Sequence, residues 1–241
     1  MKFYYHSFKY ITNDDYLLTS GSTAQGAVTA ANKDLEVGGW NKDSLGRRVE
    51  TVLGSFNTTI PEQAISRYNK YLDDLPVEKH VNKYWLTYAS MLTDIKTVCP
   101  LQELASSLSK HFSSKVYSYV ATQKRNKMDN IADSTSDIEA IFDMYEIDDD
   151  YNKLADKGES NEDNEAMIEG AKLAAEQSLF VDKIQDMFYT YVRTGELPQG
   201  NRDMSQGMYM VNSQITSQKD YPNCDFWKST KNIVPSYANL D

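Results

Sequence analysis

The sequence predicts an α/β fold, and three observations predict it. From Glu165 to Val192, Ala174, Phe180, Val181, Ile184, Phe188, Tyr191 and Val192 recur at three- and four-residue steps, the spacing of one buried helix face. Lys115 to Thr122 (KVYSYVAT) alternates instead and is rich in Val and Tyr, as strands are. Met208 to Ile215 (MYMVNSQI) reads as a last strand, so strands are embedded among helices.

The elements follow in order. Asp15 to Ala31 (DYLLTSGSTAQGAVTAA) opens as a short apolar strand, passes a Gly/Ser turn and continues as a helix. Gly38 to Gly46 (GGWNKDSLG) has loop composition. Val49, Val52, Leu53 and Phe56 then share a helical face. Pro61 and Glu62 suit a first helical turn, with Ile65, Tyr68 and Leu72 following at helical spacing. Tyr84, Tyr88, Leu92 and Ile95 mark a further helix, which Cys99-Pro100 interrupts. Leu101, Leu104, Ala105 and Leu108 form a second apolar face after it.

Beyond the Lys115 to Thr122 strand, a loop runs from Gln123 to Ser136. A short helix, Asp137 to Tyr145, follows with Ser136 or Asp137 as its cap. Gly195 suits the C-cap of the long helix, and Pro198 prevents its resumption. Asp225 to Ile233 reads as a terminal helix. There is no internal repeat. Residues 1–241 therefore read as one domain portion, with an acidic loop insertion at 146–165.

Charge narrows the partners. With 35 acidic against 25 basic residues, the formal net charge is −10, which argues against nucleic acid, whose phosphates demand a surplus of Lys and Arg. The acids are densest between Asp143 and Glu165, the composition of a solvated loop. Within it, Asp148-Asp149-Asp150 lacks the alternating ligands and central glycine of an EF-hand loop. No stretch approaches the roughly 18 consecutive apolar residues of a membrane span. Nor is the N-terminus a signal peptide, because His6, Lys9 and Asn13 break its apolar run.

The 17 tyrosines suit polar-tipped packing at a core rim or an interaction surface. Composition leaves open whether Cys99 and Cys224, the two cysteines, pair. One glycosylation sequon occurs, at Asn57-Thr58-Thr59. Histidine and cysteine are too few and too dispersed for a zinc site, and there is no phosphate-binding glycine loop, so neither a metal nor a cofactor is expected. Met204, Met208 and Met210 read as packing rather than a metal box.

Four stretches, taken in order, resemble the type-B carboxylesterase and cholinesterase family. Thr93-Asp94-Ile95 with Val98-Cys99-Pro100-Leu101 precedes Val116-Tyr117-Ser118-Tyr119, like the family's Cys-Pro helix start and the strand after it. Ser136-Asp137-Ile138-Glu139-Ala140-Ile141-Phe142 looks like the short helix after the catalytic His. Phe188-Tyr189-Thr190-Tyr191-Val192-Arg193-Thr194-Gly195 looks like the helix ending in an aromatic, a basic residue, Thr and Gly. Cys224-Asp225-Phe226-Trp227 is similar to the Cys-x-Phe-Trp near the end of the family's domain. The resemblance covers residues 15–235. It implies a partial α/β-hydrolase fold, the C-terminal strands of the central sheet with flanking helices. It also implies that Cys99 and Cys224 form a disulfide, and hence a secreted, extracellular or lumenal setting.

Family members hydrolyse esters with a Ser nucleophile, a His base and a Glu that orients it. The resemblance places Ser20 to Gly26 (SGSTAQG) on the acid loop, with Gln25 in the acid's position. A Gln cannot supply the negative charge that stabilises an imidazolium, although it can hydrogen-bond a ring nitrogen. The base belongs near Ser134 in the loop Asp129 to Ser136, and the three histidines, His6, His80 and His111, all lie earlier in the chain. Hydroxyl and carboxylate groups do not relay a proton near neutral pH as imidazole does. The nearest approach to a G-x-S-x-G elbow, Gly21 to Gly26, would put Thr23 at the nucleophile.

These readings converge on a catalytically degenerate domain rather than an enzyme. Its expected role is structural, adhesive or binding, in complex with a partner chain carrying the N-terminal half of the hydrolase fold. A second reading makes the chain the C-terminal piece of an active carboxylic ester hydrolase whose Ser lies on another chain. A third is a carrier of small hydrophobic ligands, with Trp40 and Trp85 lining the old gorge.

Overall fold

A computed structural model of the chain describes residues 17–22, 39–73, 82–110, 116–124, 132, 135–147, 161–198, 208–218, 221 and 223–230. The elements are β1 (Leu17–Ser22), α1 (Lys42–Leu53), α2 (Ile60–Asp73), α3 (Lys83–Thr93), a π-helical turn (Asp94–Val98) and α4 (Cys99–Leu108). They continue as β2 (Val116–Ala121), α5 (Ser136–Ile141), α6 (Asn161–Thr194), β3 (Met208–Val211), β4 (Ile215–Gln218) and α7 (Cys224–Ser229).

The four strands form one sheet in the order β1-β2-β3-β4. β1 and β2 run parallel, with Leu17 opposite Val116 and Ser22 opposite Ala121. β3 is parallel to β2, pairing Tyr119 with Tyr209. β4 returns antiparallel, from Ile215 beside Val211 to Gln218 beside Met208.

β2 is buried along its whole length, and its alternation divides two cores. Val116 and Val120 enter the larger core, built with α1 to α4 and α7. Tyr117, Tyr119 and Ala121 enter the other, against Phe180, Ile184, Met187 and Tyr191 of α6 and Ala140 and Ile141 of α5. β3 alternates in the same sense, with Met208 in the first core and Tyr209 and Val211 in the second. Helices thus cover both faces of a mixed, mainly parallel sheet, as parallel strands require. The architecture is α/β, as the sequence predicts.

Caps and turns position the helices. Asn41 and Ser44 make reciprocal bonds at the start of α1, Ser44 N to Asn41 Oδ1 at 3.0 Å and Asn41 N to Ser44 Oγ at 2.8 Å. Asn82 caps α3 by accepting from Tyr84 N and Trp85 N, and its amide donates to the Trp40 carbonyl at 2.9 Å. At the end of α6, Gly195 adopts φ 72° and donates its N–H to the Tyr191 carbonyl at 2.8 Å, an αL cap that favours glycine.

Several expectations are corrected. The expected loop Gly38 to Gly46 ends early, because the Asn41 cap starts α1 at Lys42. Cys99-Pro100 does not interrupt the helix. The backbone widens into a π-turn in which Cys99 N–H reaches back to the Asp94 carbonyl, and Pro100, which has no N–H to give, starts the next turn. The helix expected over Asp137 to Tyr145 stops at Ile141, and its start at Thr135 has no side-chain cap bond to the backbone. Asp143 at φ 58° turns the chain out of the helical path instead.

The remaining corrections fall in the C-terminal half. The last strand is a hairpin of two strands rather than one. Asn212 Oδ1 accepts from Gln214 N at 2.8 Å and Asn212 N donates to the Gln214 carbonyl at 3.0 Å, closing the turn inside the expected run. α6 starts at Asn161, inside the acidic stretch expected to remain loop to Glu165. Residues 148–160 of that stretch, with Asp148-Asp149-Asp150, lie outside the described residues, as does the helix expected after β1.

Candidate functional site

Parallel strands deliver their following loops to one end of a sheet, where α/β folds build their sites. β1 and β2 end side by side, at Ser22 and Ala121. The segment that follows β1 includes Gln25, and the segment that follows β2 includes Ser134. Both residues lie outside the described set.

What flanks the second segment is described. Thr122 N donates to the Val211 carbonyl at 2.8 Å, which carries the sheet one residue past β2. Lys124 and Ala132 then form an isolated antiparallel bridge. The Lys124 carbonyl accepts from Gln123 Nε2 at 3.2 Å and from Gln177 Nε2 of α6 at 3.3 Å. On the far side, Tyr119 donates its hydroxyl to Asp137 Oδ2 at 2.9 Å, and both side chains are buried. Thr135 Oγ1 donates to Glu139 Oε1 at 2.7 Å. The framing groups are amides, hydroxyls and carboxylates, and the histidines lie outside the described residues. Among the described residues no three His, Cys, Asp or Glu side chains gather as a metal site would need.

A second polar centre lies in the larger core. Tyr68 donates its hydroxyl to Asp94 Oδ2 at 2.5 Å and accepts from Trp227 Nε1 at 2.7 Å. Tyr68, Asp94 and Trp227 are all buried. Burial raises the Asp94 carboxyl to about 8, only partly offset by Tyr68 and Asn223 beside it. The Tyr68 hydroxyl is likewise held above its ordinary range by burial first, and then by the carboxylate of Asp94. At neutral pH Asp94 is therefore mainly the neutral acid, a form a dry core tolerates.

This centre fastens α7. Cys224, the first residue of α7, is bonded to Cys99 at the start of α4, with Cα atoms 5.2 Å apart and a sequence separation of 125. Asn223 turns into α7 at φ 69°, a conformation Asn tolerates. Its Oδ1 accepts from Arg67 Nε at 3.0 Å. Arg67 also pairs with the exposed Asp225 at 2.5 Å, and its guanidinium lies 5.9 Å from the centre of the Phe226 ring. The bond between Cys99 and Cys224 fits an oxidising, extracellular setting.

Sequence reading located the cysteines and missed the Tyr68–Asp94–Trp227 contacts. The available signal was Asp94 itself, an acid between Leu92 and Ile95 on an otherwise apolar helix, a position that demands a buried partner. Trp40 and Trp85 are core residues: Trp40 packs on Tyr88 with ring centres 5.0 Å apart. Met208 and Met210 also pack in or against that core, while Met204 lies outside the described residues. Asn57 is exposed in the turn between α1 and α2. Among the described residues no helix is long and apolar enough to cross a membrane.

No family model matches the chain. Among curated proteins it is similar to Neurotactin of Drosophila melanogaster, 26% identical over 232 residues, which is 95% of this chain and 21% of Neurotactin. The chain thus spans about a fifth of the length of the curated relative it matches. This likeness supports a cholinesterase-like domain.

Proposed function

We propose that the chain is a non-catalytic cholinesterase-like domain, the C-terminal portion of an α/β-hydrolase fold, with an adhesive or binding role outside the cell. The likeness to Neurotactin across nearly the whole chain is the observation that supports this reading most directly. The residue types at two positions agree with it. Gln25 occupies the place of the orienting acid and Ser134 the place of the base, so neither an imidazole nor its counter-charge is supplied. A fold alone does not specify an activity, and the residues at these two positions weigh against hydrolysis.

The polypeptide bearing the N-terminal half of the fold completes the sheet next to β1. Among the described residues β1 has a strand neighbour on one side, β2. An open parallel edge with apolar faces is an aggregation hazard unless another strand covers it.

Display of the domain, together with the polypeptide that completes its sheet, on non-adherent cells tests the reading. Cell clustering, with no hydrolysis of small acyl esters, is expected. Ester turnover abolished by a serine-directed organophosphate would overturn it.

A further inference from the structure

We infer that Asn57 is an N-glycosylation site. The inference does not depend on the adhesive reading. It rests on the local geometry of Asn57-Thr58-Thr59 and on the compartment implied by the Cys99–Cys224 bond.

The three residues are exposed in the turn that joins α1 to α2. Asn57 Oδ1 accepts two hydrogen bonds from the same downstream residue, Thr59 N at 3.0 Å and Thr59 Oγ1 at 3.0 Å. The main chain closes over them, with Ile60 N donating to the Asn57 carbonyl at 3.2 Å. Two donors on one carboxamide oxygen draw electron density away from the amide and make its nitrogen easier to deprotonate. Both bonds fall on Oδ1, so neither occupies Nδ2. The threonine hydroxyl of the sequon therefore has a physical role here rather than a merely formal one.

The geometry is local, spanning two residues, so it needs no tertiary contact and is accessible to a chain still emerging into a lumen. The fold also tolerates the product. Half-buried Phe56 on one side and buried Ile60 on the other anchor the turn in the larger core, leaving Asn57 to 59 outside. The reaction would transfer an oligosaccharide from a polyprenyl diphosphate donor in that lumen. Asn57 Nδ2 forms a bond to the anomeric carbon as the bond from that carbon to the diphosphate oxygen breaks. Lipid diphosphate leaves with the electron pair, and the amide proton passes to the transferase base.

The test uses the whole chain, directed into the secretory pathway of a glycosylating eukaryotic cell, with the pool carrying oxidised Cys99–Cys224 read by peptide mass spectrometry. The peptide holding Asn57 is expected to bear a glycan, and treatment with peptide N-glycanase should leave Asp at that position. N57Q and T59A should abolish the glycan, whereas T59S, which keeps a hydroxyl, should retain it at reduced occupancy. An unmodified Asn57 in disulfide-bonded protein would overturn the inference, and so would a glycan that survives T59A. Reading the oxidised pool inside as well as outside the cell covers a variant that folds too poorly to be secreted.

Discussion

The hydroxyl of Tyr68 and the carboxyl of Asp94 meet at 2.5 Å in the larger core, where the same hydroxyl also accepts from Trp227 Nε1. Residues 26 and 159 positions apart from Tyr68 are thereby joined through a single oxygen. The contact ties α2, the π-turn and α7 together close to the Cys99–Cys224 bond. Its polar groups satisfy one another in a place where water cannot. The following expectations derive from that arrangement and from the site at the strand ends.

Stability should fall as pH rises through neutrality. The Asp94 carboxyl is near 8 in the folded chain and about 3.9 when unfolded. Between those values the folded state holds a proton that the unfolded state releases. The stabilisation is complete below about pH 4 and is lost as pH rises toward about 8, with a slope of at most about 1.4 kcal/mol per pH unit. Asp94→Asn keeps an acceptor for Tyr68 and cannot titrate. Urea midpoints measured from pH 5 to pH 8, about the span just argued, should slope downward in the unaltered chain and flatten in the variant. Equal slopes would refute the assignment.

Removing the shared oxygen should cost more than removing either partner's contact alone. Tyr68→Phe leaves the Trp227 N–H and the Asp94 carboxyl buried without this partner, and is expected to destabilise by about 1–3 kcal/mol. A double-mutant cycle with Trp227→Phe should show a coupling of roughly 0.5 kcal/mol or more, since the two side chains share one bond. Strictly additive losses would mean that the hydrogen bond contributes nothing.

The sequence disclosed what periodicity encodes. The long α6 face and the buried β2 strand were legible, because each depends on spacing within one segment, and the terminal helix read over Asp225 to Ile233 is seen at Cys224–Ser229. The β3–β4 hairpin was not, because its turn is set by the Asn212 side chain folding back on Gln214 rather than by a Gly or Pro signal. Nor was the π-turn, where proline normally announces a break and the backbone here accommodates it by widening. The Tyr68–Asp94–Trp227 centre escaped for a different reason. Its members are far apart in the chain and are brought together only when the first core closes. At the strand ends, β1 and β2 finish side by side, while Gln25 and Ser134 lie outside the described residues.

Opening the disulfide should loosen α7 first. The bond closes a long loop, with 125 residues of separation, and its removal by Cys99→Ser with Cys224→Ser is expected to cost roughly 2–5 kcal/mol. The Arg67–Asp225 pair is too exposed to compensate. Hydrogen exchange should report faster opening of the amides around Trp227 than of those in β2. Uniform acceleration across the chain would show instead that α7 and the sheet unfold as one unit.

Placing a carboxylate at Gln25 and an imidazole at Ser134 should not by itself give ester hydrolysis. With Gln25→Glu and Ser134→His the chain would hold an acid and a base in the segments that follow β1 and β2, but the sequence still lacks a G-x-S-x-G elbow. No hydrolysis of small acyl esters above background is therefore expected from the doubly substituted chain alone. The outcome should differ when the chain is assembled with a polypeptide that carries the elbow. A His base held by a carboxylate raises turnover by on the order of 10⁴ over a mispaired base. The doubly substituted assembly should then hydrolyse esters in an organophosphate-sensitive manner, and the unsubstituted assembly should not. If the unsubstituted assembly turned over equally well, Gln25 and Ser134 would not occupy the acid and base positions, and a base from elsewhere in the complex would have to be sought.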